Sequence, residues 1–565
     1  MGYLRAMYRT PPTKGVRSAA FPSWRSAGAV VLLACLAGCA GDDSGGGDGT
    51  GGTGGTADSA TDGSCVTPVE CAEVAEAAAA SAMTSLVQSP DELHNFMVQM
   101  PLGGDLHHHL SGSVYAETFL ALATELGGFC IDPDQLSLSS SCGGDTVPIP
   151  SSDEALYDEL IRAWSMYEFV PSPEESGADH FFSTFGKFGA ISGTQHGRML
   201  ADVRRRAASE NVLYIEPMLT ANSTARNLGE DEWDALGGGA LEESDYAGLH
   251  SALLASSGFG AARTRLTGDV TDSEMTANVE LECDSAEPGQ GCDVVTRYQA
   301  YISRSGSDPG VFAQMVAAYE AAMVEPRLVG LNLVGPEDGN DAMANYDRLM
   351  AMLAYLNDYY DGMSPLRLSL HAGEITAASI PGGYQLDETQ HIRKAVQTAG
   401  AQRVGHGIDV MFEGDPEALF DTLANTGVLV EICLASNDII LGVKGAGHPV
   451  HDYLERGVPV ALATDDQGVA RSSLAAEYVR AAADQQLDYR TLKAMARASI
   501  EYSFLPGESL WASEGALVAP CMPAEGDTPV TQPPTAECQA FLSGNPRAEV
   551  QLELERRLEE FEAEF

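Results

Sequence analysis

Gly104-Asp105-Leu106-His107-His108-His109 reads as a strand that ends in three consecutive histidines. Side chains alternate across a strand, so His107 and His109 leave one face and converge on a single point while His108 points the other way. Two imidazoles converging at a strand end suit a metal ion. The fold follows from asking what else could reach that ion.

Moving outward, His371 ends the apolar run Leu366-Arg367-Leu368-Ser369-Leu370, and Asp465 ends Val458-Pro459-Val460-Ala461-Leu462-Ala463-Thr464. Eight such runs, mostly β-branched, can be marked at 104–107, 212–217, 294–303, 328–333, 366–371, 403–406, 428–432 and 458–464. Between most of them lie helical patterns, as at 341–360 and 474–486, and strands alternating with helices form parallel sheets. Candidate ligands on the first, fifth and eighth runs converge only if the sheet closes. The sequence therefore predicts an α/β fold, a (β/α)8 TIM barrel, with the candidate residues on its catalytic C-terminal rim.

The residues on that rim form an inventory for metal-assisted hydrolysis: His107, His109, His371 and Asp465 as ligands, with Glu374, His406 and Asp466 beside them. A catalytic zinc needs nitrogen or oxygen ligands, one position open to water, and groups that move protons. Taken singly the segments say little. A His-x-His is more often a surface pair or a satisfied core histidine, and Asp-Asp is commonly a turn or a helix cap. His371-Ala372-Gly373-Glu374 is more specific, because glycine lets the backbone turn while a histidine and a carboxylate stay side by side. All four segments in order, each at a strand end, point to Zn2+ chemistry.

Pro101 through Gly112, Ser369 through Glu374, Arg403-Val404-Gly405-His406-Gly407, Glu431 through Asn437 and Ala463 through Asp466 resemble the signature blocks of the adenosine deaminase family, a metal-dependent hydrolase family. Ser499 through Leu505 and the export signal described below are similar to its secreted, growth-factor-related branch. The resemblance covers about residues 72–512. It implies zinc held by His107, His109, His371 and Asp465, proton donation by Glu374 to purine N1, and His406 as base or orienter for the attacking water. It further implies that Asp466 meets N7 and that the Gly335 backbone meets N3. Three positions depart from the family pattern: Ser111 stands where an aspartate touches the ribose, Asn332 replaces an aspartate, and Leu434 replaces a proline. None is a ligand or the proton donor, so sugar recognition is what they bear on.

Residues 1–38 carry Arg5, Arg9, Lys14, Arg17 and Arg25 with no acid, then the apolar stretch Ala27 to Gly38. This reads as a secretory signal, too short for a spanning helix of about 20 residues. Its end, Leu36-Ala37-Gly38-Cys39, resembles a bacterial lipobox, which implies lipid anchoring at Cys39, with an ordinary cleaved signal as the alternative. Residues 39–70 read as a flexible tether, Gly, Ser, Thr and Asp rich over 40–64. Residues 71–512 are the expected barrel and 513–565 a C-terminal extension, whose tail 548–565 reads as a surface helix. The protein is thus expected to be exported and anchored to the cell envelope.

Export permits disulfides. Of eleven cysteines, Cys35 and Cys39 belong to the signal region, Cys433 falls on a strand, and four sequence-local pairs remain: Cys65 and Cys71, Cys130 and Cys142, Cys283 and Cys292, Cys521 and Cys538. The second and third fall in two irregular stretches, 130–155 and 222–290, which read as stapled insertions. Formal charge is -49, and loss of the five basic residues of the signal takes it to -54. That excess argues against a nucleic-acid partner, whose phosphates need basic surface, and disfavours a phosphorylated substrate. Phe181 through Phe188 could lid a pocket, although aromatic spacing of three and four is more often core packing.

The expected activity is deamination of adenosine or 2′-deoxyadenosine. Rivals are a deaminase of another aminopurine, since Ser111 leaves the sugar open, and a surface protein that binds nucleosides without turnover. A proton donor beside a metal has no purpose in the second.

Overall fold

A computed structural model describes residues 65–513 and 515–565. The signal region, Cys39 and most of the tether lie outside the described residues. Residues 67–565 form one compact unit.

Its centre is a parallel barrel whose strands we number β1 (Gly103–His109), β2 (Val212–Met218), β3 (Tyr298–Ser303), β4 (Leu328–Val334), β5 (Arg367–Ala372), β6 (Arg403–His406), β7 (Leu429–Ile432) and β8 (Val460–Leu462). They follow one another in sequence order around the sheet. Every run marked in the sequence becomes a strand; the third is split, with Val295–Thr296 pairing β2 just ahead of β3. Such strands are buried on both faces, which is why they read as continuous apolar runs. Helices such as Asn340–Tyr359 and Leu474–Ala483 fill the crossovers.

The ring closes at one seam. Past the end of β8, His108 bridges Asp465 in parallel register. The Asp465 N–H donates to the His107 carbonyl at 2.8 Å, and the His109 N–H donates to the Asp465 carbonyl at 2.9 Å. Two candidate ligand strands are therefore bonded directly to each other.

The opposite end of the barrel differs from expectation. The tail forms the helix Pro546–Glu562, and it is no surface helix: Val550, Leu554 and Leu558 are buried against Leu213, Tyr214, Leu429 and Ala461. Residues four apart share one helix face, so this apolar stripe docks on the barrel while Arg556 and Glu560 face outward. The stretch 222–290 is not irregular either. It holds the helices Ser223–Ala235, Tyr246–Ala255 and Phe259–Glu280, the last burying Phe259, Ala262, Leu266, Val270, Ser273 and Ala277. Small residues supply much of that stripe, which lets the helix pack closely and also weakens its hydropathy pattern. The helix Pro68–Leu86 begins inside the expected tether, capped by Thr67 and Glu70 in reciprocal bonds.

Disulfides join Cys130 to Cys142, Cys283 to Cys292 and Cys521 to Cys538. Cys65 and Cys71 are disulfide-bonded as well, and Cys433 is free and buried. The first of these staples closes over a small hairpin, Cys130–Asp132 with Ser137–Ser139. Phe181 and Phe188 lie buried on the helix Gly177–Ser192, with Phe188 stacked on Phe119 at 4.9 Å, so these two rings are core. Among the described residues no helix is long and apolar enough to cross a membrane.

Candidate active site

The C-terminal ends of β1 and β5 and the turn after β8 bring His107, His109, His371 and Asp465 together, with one ligand atom from each within 4.8 Å of the others. The His371 Nε2 lies 3.0 Å from His107 Nε2 and 3.2 Å from His109 Nε2. Asp465 Oδ1 lies 3.6 Å from the first of those histidines and 3.2 Å from the second. His108 turns away, as the alternation predicts, with Nδ1 on the Ser113 hydroxyl.

Two of the three rings are oriented from behind. The His107 Nδ1–H donates to Glu431 Oε2 at 2.8 Å, and the His371 Nδ1–H donates to Asn332 Oδ1 at 2.7 Å. In both rings Nε2 is thereby the nitrogen that faces the centre of the cluster, where a cation could take it as a ligand. Ser436 donates to Asp465 Oδ2 at 2.6 Å, leaving Oδ1 for the cluster. Burial works against the Asp465 anion, yet hydrogen bonds from His107 and His109 hold its carboxyl well below the usual range. Burial also depresses His107, but Asp465 and Glu431 outweigh it and push the ring up to about 10. The cluster favours positive charge at its centre. This His/Asp group can hold a metal ion.

Three further groups face the same space, each with a buried atom that has no hydrogen-bond partner: Glu374 Oε1, His406 Nε2 and Asp466 Oδ1. Glu374 and His406 approach to 3.7 Å. Burial first, then the negative charge of Asp465 and Glu337, raises the Glu374 carboxyl well above its ordinary value, so it is held protonated. Asp466 is raised by burial and by its neighbour Asp465. It packs so tightly over Gly112 that a Cβ there would sit 1.5 Å from Asp466 Oδ1.

The protonation of His406 follows from a backbone group. The Val450 N–H donates to His448 Nδ1 at 3.2 Å, so His448 carries its proton on Nε2 and donates to Asn437 Oδ1, 3.2 Å away. The Asn437 amide N–H then donates to His406 Nδ1 at 3.0 Å. Burial pushes His406 down to about 3, so the ring is neutral. Its single proton is on Nε2, facing the site.

Ser111 is half-buried just beyond the histidines, and Gly335 begins the loop after β4 with φ +115, a backbone angle that favours glycine. Asn332, noted in the sequence only as a departure, is the support for His371. Glu431, Asn437, His448 and Glu337 were not singled out for any role. Glu431 did leave a signal: a lone carboxylate inside Val428-Leu429-Val430-Glu431-Ile432 is out of place on a buried strand unless it is paired. It is paired, with Arg403 Nε 2.7 Å away and Arg403 bonded in turn to Glu216.

Comparison with known proteins gives a family match over residues 251–511, to the family described as "Adenosine deaminase". That span contains His371, Glu374, His406 and Asp465, and the first histidine pair lies upstream of it. A protein named adenine deaminase from Rhizobium leguminosarum bv. trifolii is 28% identical over 320 residues, covering 52% of this chain and 92% of that protein. A protein named adenosine deaminase from Erwinia tasmaniensis is 32% identical over 155 residues, 27% of this chain and 42% of that one. A Danio rerio protein named N6-Methyl-AMP deaminase is 28% identical over 226 residues, covering 38% and 58% respectively.

Proposed function

We propose that the chain is a zinc-dependent hydrolase of the adenosine deaminase family, the family its similarities support, converting adenosine, and 2′-deoxyadenosine, to the inosine nucleoside and ammonia. The observation that carries this is the convergence of His107, His109, His371 and Asp465 with the unpartnered Glu374, His406 and Asp466 atoms at its edge.

Bound by the first four residues, zinc supplies Lewis acidity that brings the pKa of water toward ~7. The chain's own groups do the rest. Neutral His406, with its proton on Nε2, donates to the attacking oxygen and orients it, the second of the two roles open to it from sequence. Glu374, held protonated, gives its proton to N1 as attack at C6 breaks the purine's aromaticity. Asp466, raised by burial, shares a proton with N7, and the Gly335 N–H donates to N3. Ser111 is the candidate contact to the sugar. The donor set suits zinc, with nitrogen and carboxylate ligands and room for water.

A second reading is deamination of the free base, favoured by the adenine deaminase alignment that covers 92% of that relative. The purified chain assayed against adenosine, deoxyadenosine, adenine and AMP by ultraviolet absorbance separates the two. Turnover led by adenosine is expected; adenine as the preferred substrate replaces the first reading with the second, and no turnover of any overturns both. Export and lipid anchoring at Cys39 are part of the proposal, and a Cys39→Ser variant that still fractionates as a processed membrane protein refutes them.

A further inference from the structure

Glu337 lies two residues beyond Gly335, on the loop after β4, and is buried. Both of its carboxylate oxygens are committed to the turn that carries Glu374. Oε1 accepts the Gly373 N–H at 2.9 Å and Oε2 accepts the Glu374 N–H at 2.8 Å. The carboxylate is itself held by His391, whose Nδ1 lies 2.6 Å from Oε1. The His391 ring is stacked on Tyr346 at 3.6 Å and 4°, and the Tyr346 hydroxyl donates to the His391 carbonyl at 3.0 Å.

The carbonyl side of the same turn is fixed from β6: the Ile408 N–H donates to the Gly373 oxygen at 2.8 Å, and the Gly407 N–H to the Ala372 oxygen at 3.1 Å. Gly373 has φ +82, and a Cβ there would meet Asp409 and Ile392 at under 3 Å. The Glu374 side chain makes no bond through Oε1. Its aim is therefore set by its backbone, and on the N–H side that backbone rests on Glu337.

Resting on the deaminase reading above, we propose that Glu337, steadied by His391, is a positioning residue that sets the direction of the Glu374 proton donor and ties it to Gly335, so that the purine edge contact and the acid share one loop. A donor misplaced by about 1 Å can cost ~100-fold in rate, which gives such a clamp its value.

The test uses the full chain with its metal and two variants, Glu337→Gln and His391→Phe. Glutamine keeps the volume but has one acceptor oxygen, so one of the two turn N–H groups must face an amide N–H. Phenylalanine keeps the stack on Tyr346 and removes the bond to the carboxylate. Metal content, kcat and KM, and amide hydrogen exchange of peptides spanning 372–376 and 105–110 are measured. The expected result is unchanged metal content, KM within about threefold, kcat lower by ~100-fold in Glu337→Gln and ~10-fold in His391→Phe, and faster exchange confined to 372–376. Unchanged kcat or unchanged exchange in Glu337→Gln overturns the proposal. So does a loss of rate that tracks lost metal, or exchange that quickens throughout, since either is what a general structural role produces. If the unaltered chain turns over no purine, the deaminase reading falls while local exchange at 372–376 still decides whether Glu337 is the clamp.

Discussion

Glu431→Gln is the sharpest probe of how the metal centre is built. The Glu431 carboxylate is fully buried, accepts from His107 Nδ1 at 2.8 Å and the Ser369 hydroxyl at 2.8 Å, and forms an ion pair with Arg403, whose Nε lies 2.7 Å away. Glutamine is nearly isosteric, but its amide nitrogen must point at either His107 or Arg403, both donors. If it faces His107, the ring loses its anchor and flips or tilts. If it faces Arg403, His107 keeps a neutral acceptor and the guanidinium falls back on Glu216. Either outcome replaces a charge-assisted bond with a weaker one, about 1 to 2 kcal/mol at the ligand. Loss of the outer partner of a ligating histidine lowers metal affinity by about 10- to 100-fold, or roughly 1.4 to 2.7 kcal/mol, and the two ranges agree. Competition for zinc against a chelator of known affinity reads this directly, with activity at saturating zinc as a second channel. Affinity should fall by that factor while excess zinc restores most turnover. An affinity within twofold of the unaltered protein would falsify the orientation of His107 by Glu431.

Glu374→Gln should keep its metal and lose at least ~100-fold in kcat, since the amide cannot supply the N1 proton; retained turnover at normal metal content removes Glu374 from the acid role. The same role fixes the sign of the pH dependence. Burial and the charges of Asp465 and Glu337 raise the Glu374 carboxyl, so kcat should fall as pH rises through that elevated value, and a rate that keeps climbing with pH contradicts it. Leu554→Ala, at 1% exposure beneath the barrel, should cost about 2 to 5 kcal/mol with metal binding intact; a Tm unchanged on thermal melting means the tail helix is not docked in solution. Ser111→Ala should lower kcat/KM for adenosine by about tenfold and leave that for adenine alone, because one sugar hydrogen bond contributes roughly 0.5 to 1.5 kcal/mol; equal effects on both substrates exclude a sugar contact.

The barrel was legible because parallel strands buried on both faces are rich in apolar residues, as 428–432 and 458–464 are. The four clustered residues were legible because each sits where such a run stops. Their supports were not. Whether Glu431 meets His107 or Asn332 meets His371 depends on which strands become neighbours and in what register, and His448 acts on His406 only through Asn437. The tail helix was misplaced for a related reason: Val550, Leu554 and Leu558 form a clear stripe, but among so many Glu and Arg residues the stripe does not say whether a partner surface exists. Phe259–Glu280 was missed because alanine and serine hold half of its packing face, where hydropathy carries little signal.

The seam of the barrel would give a bound metal a second duty. β1 and the residues after β8 lie more than 350 positions apart in the chain, and the seam is made by a short strand and a single bridge, His108 with Asp465. His107 and His109 stand on one lip of that seam and Asp465 on the other, so an ion held by all three would fasten the ring there. Until the chain has been synthesised past Asp465, the centre cannot assemble, and once it has, binding favours the closed ring over every open arrangement by an amount that grows with free metal. On the proposed zinc reading, uptake of the ion would mark the completion of folding, and stripping it should loosen the pairing of the first and last strands.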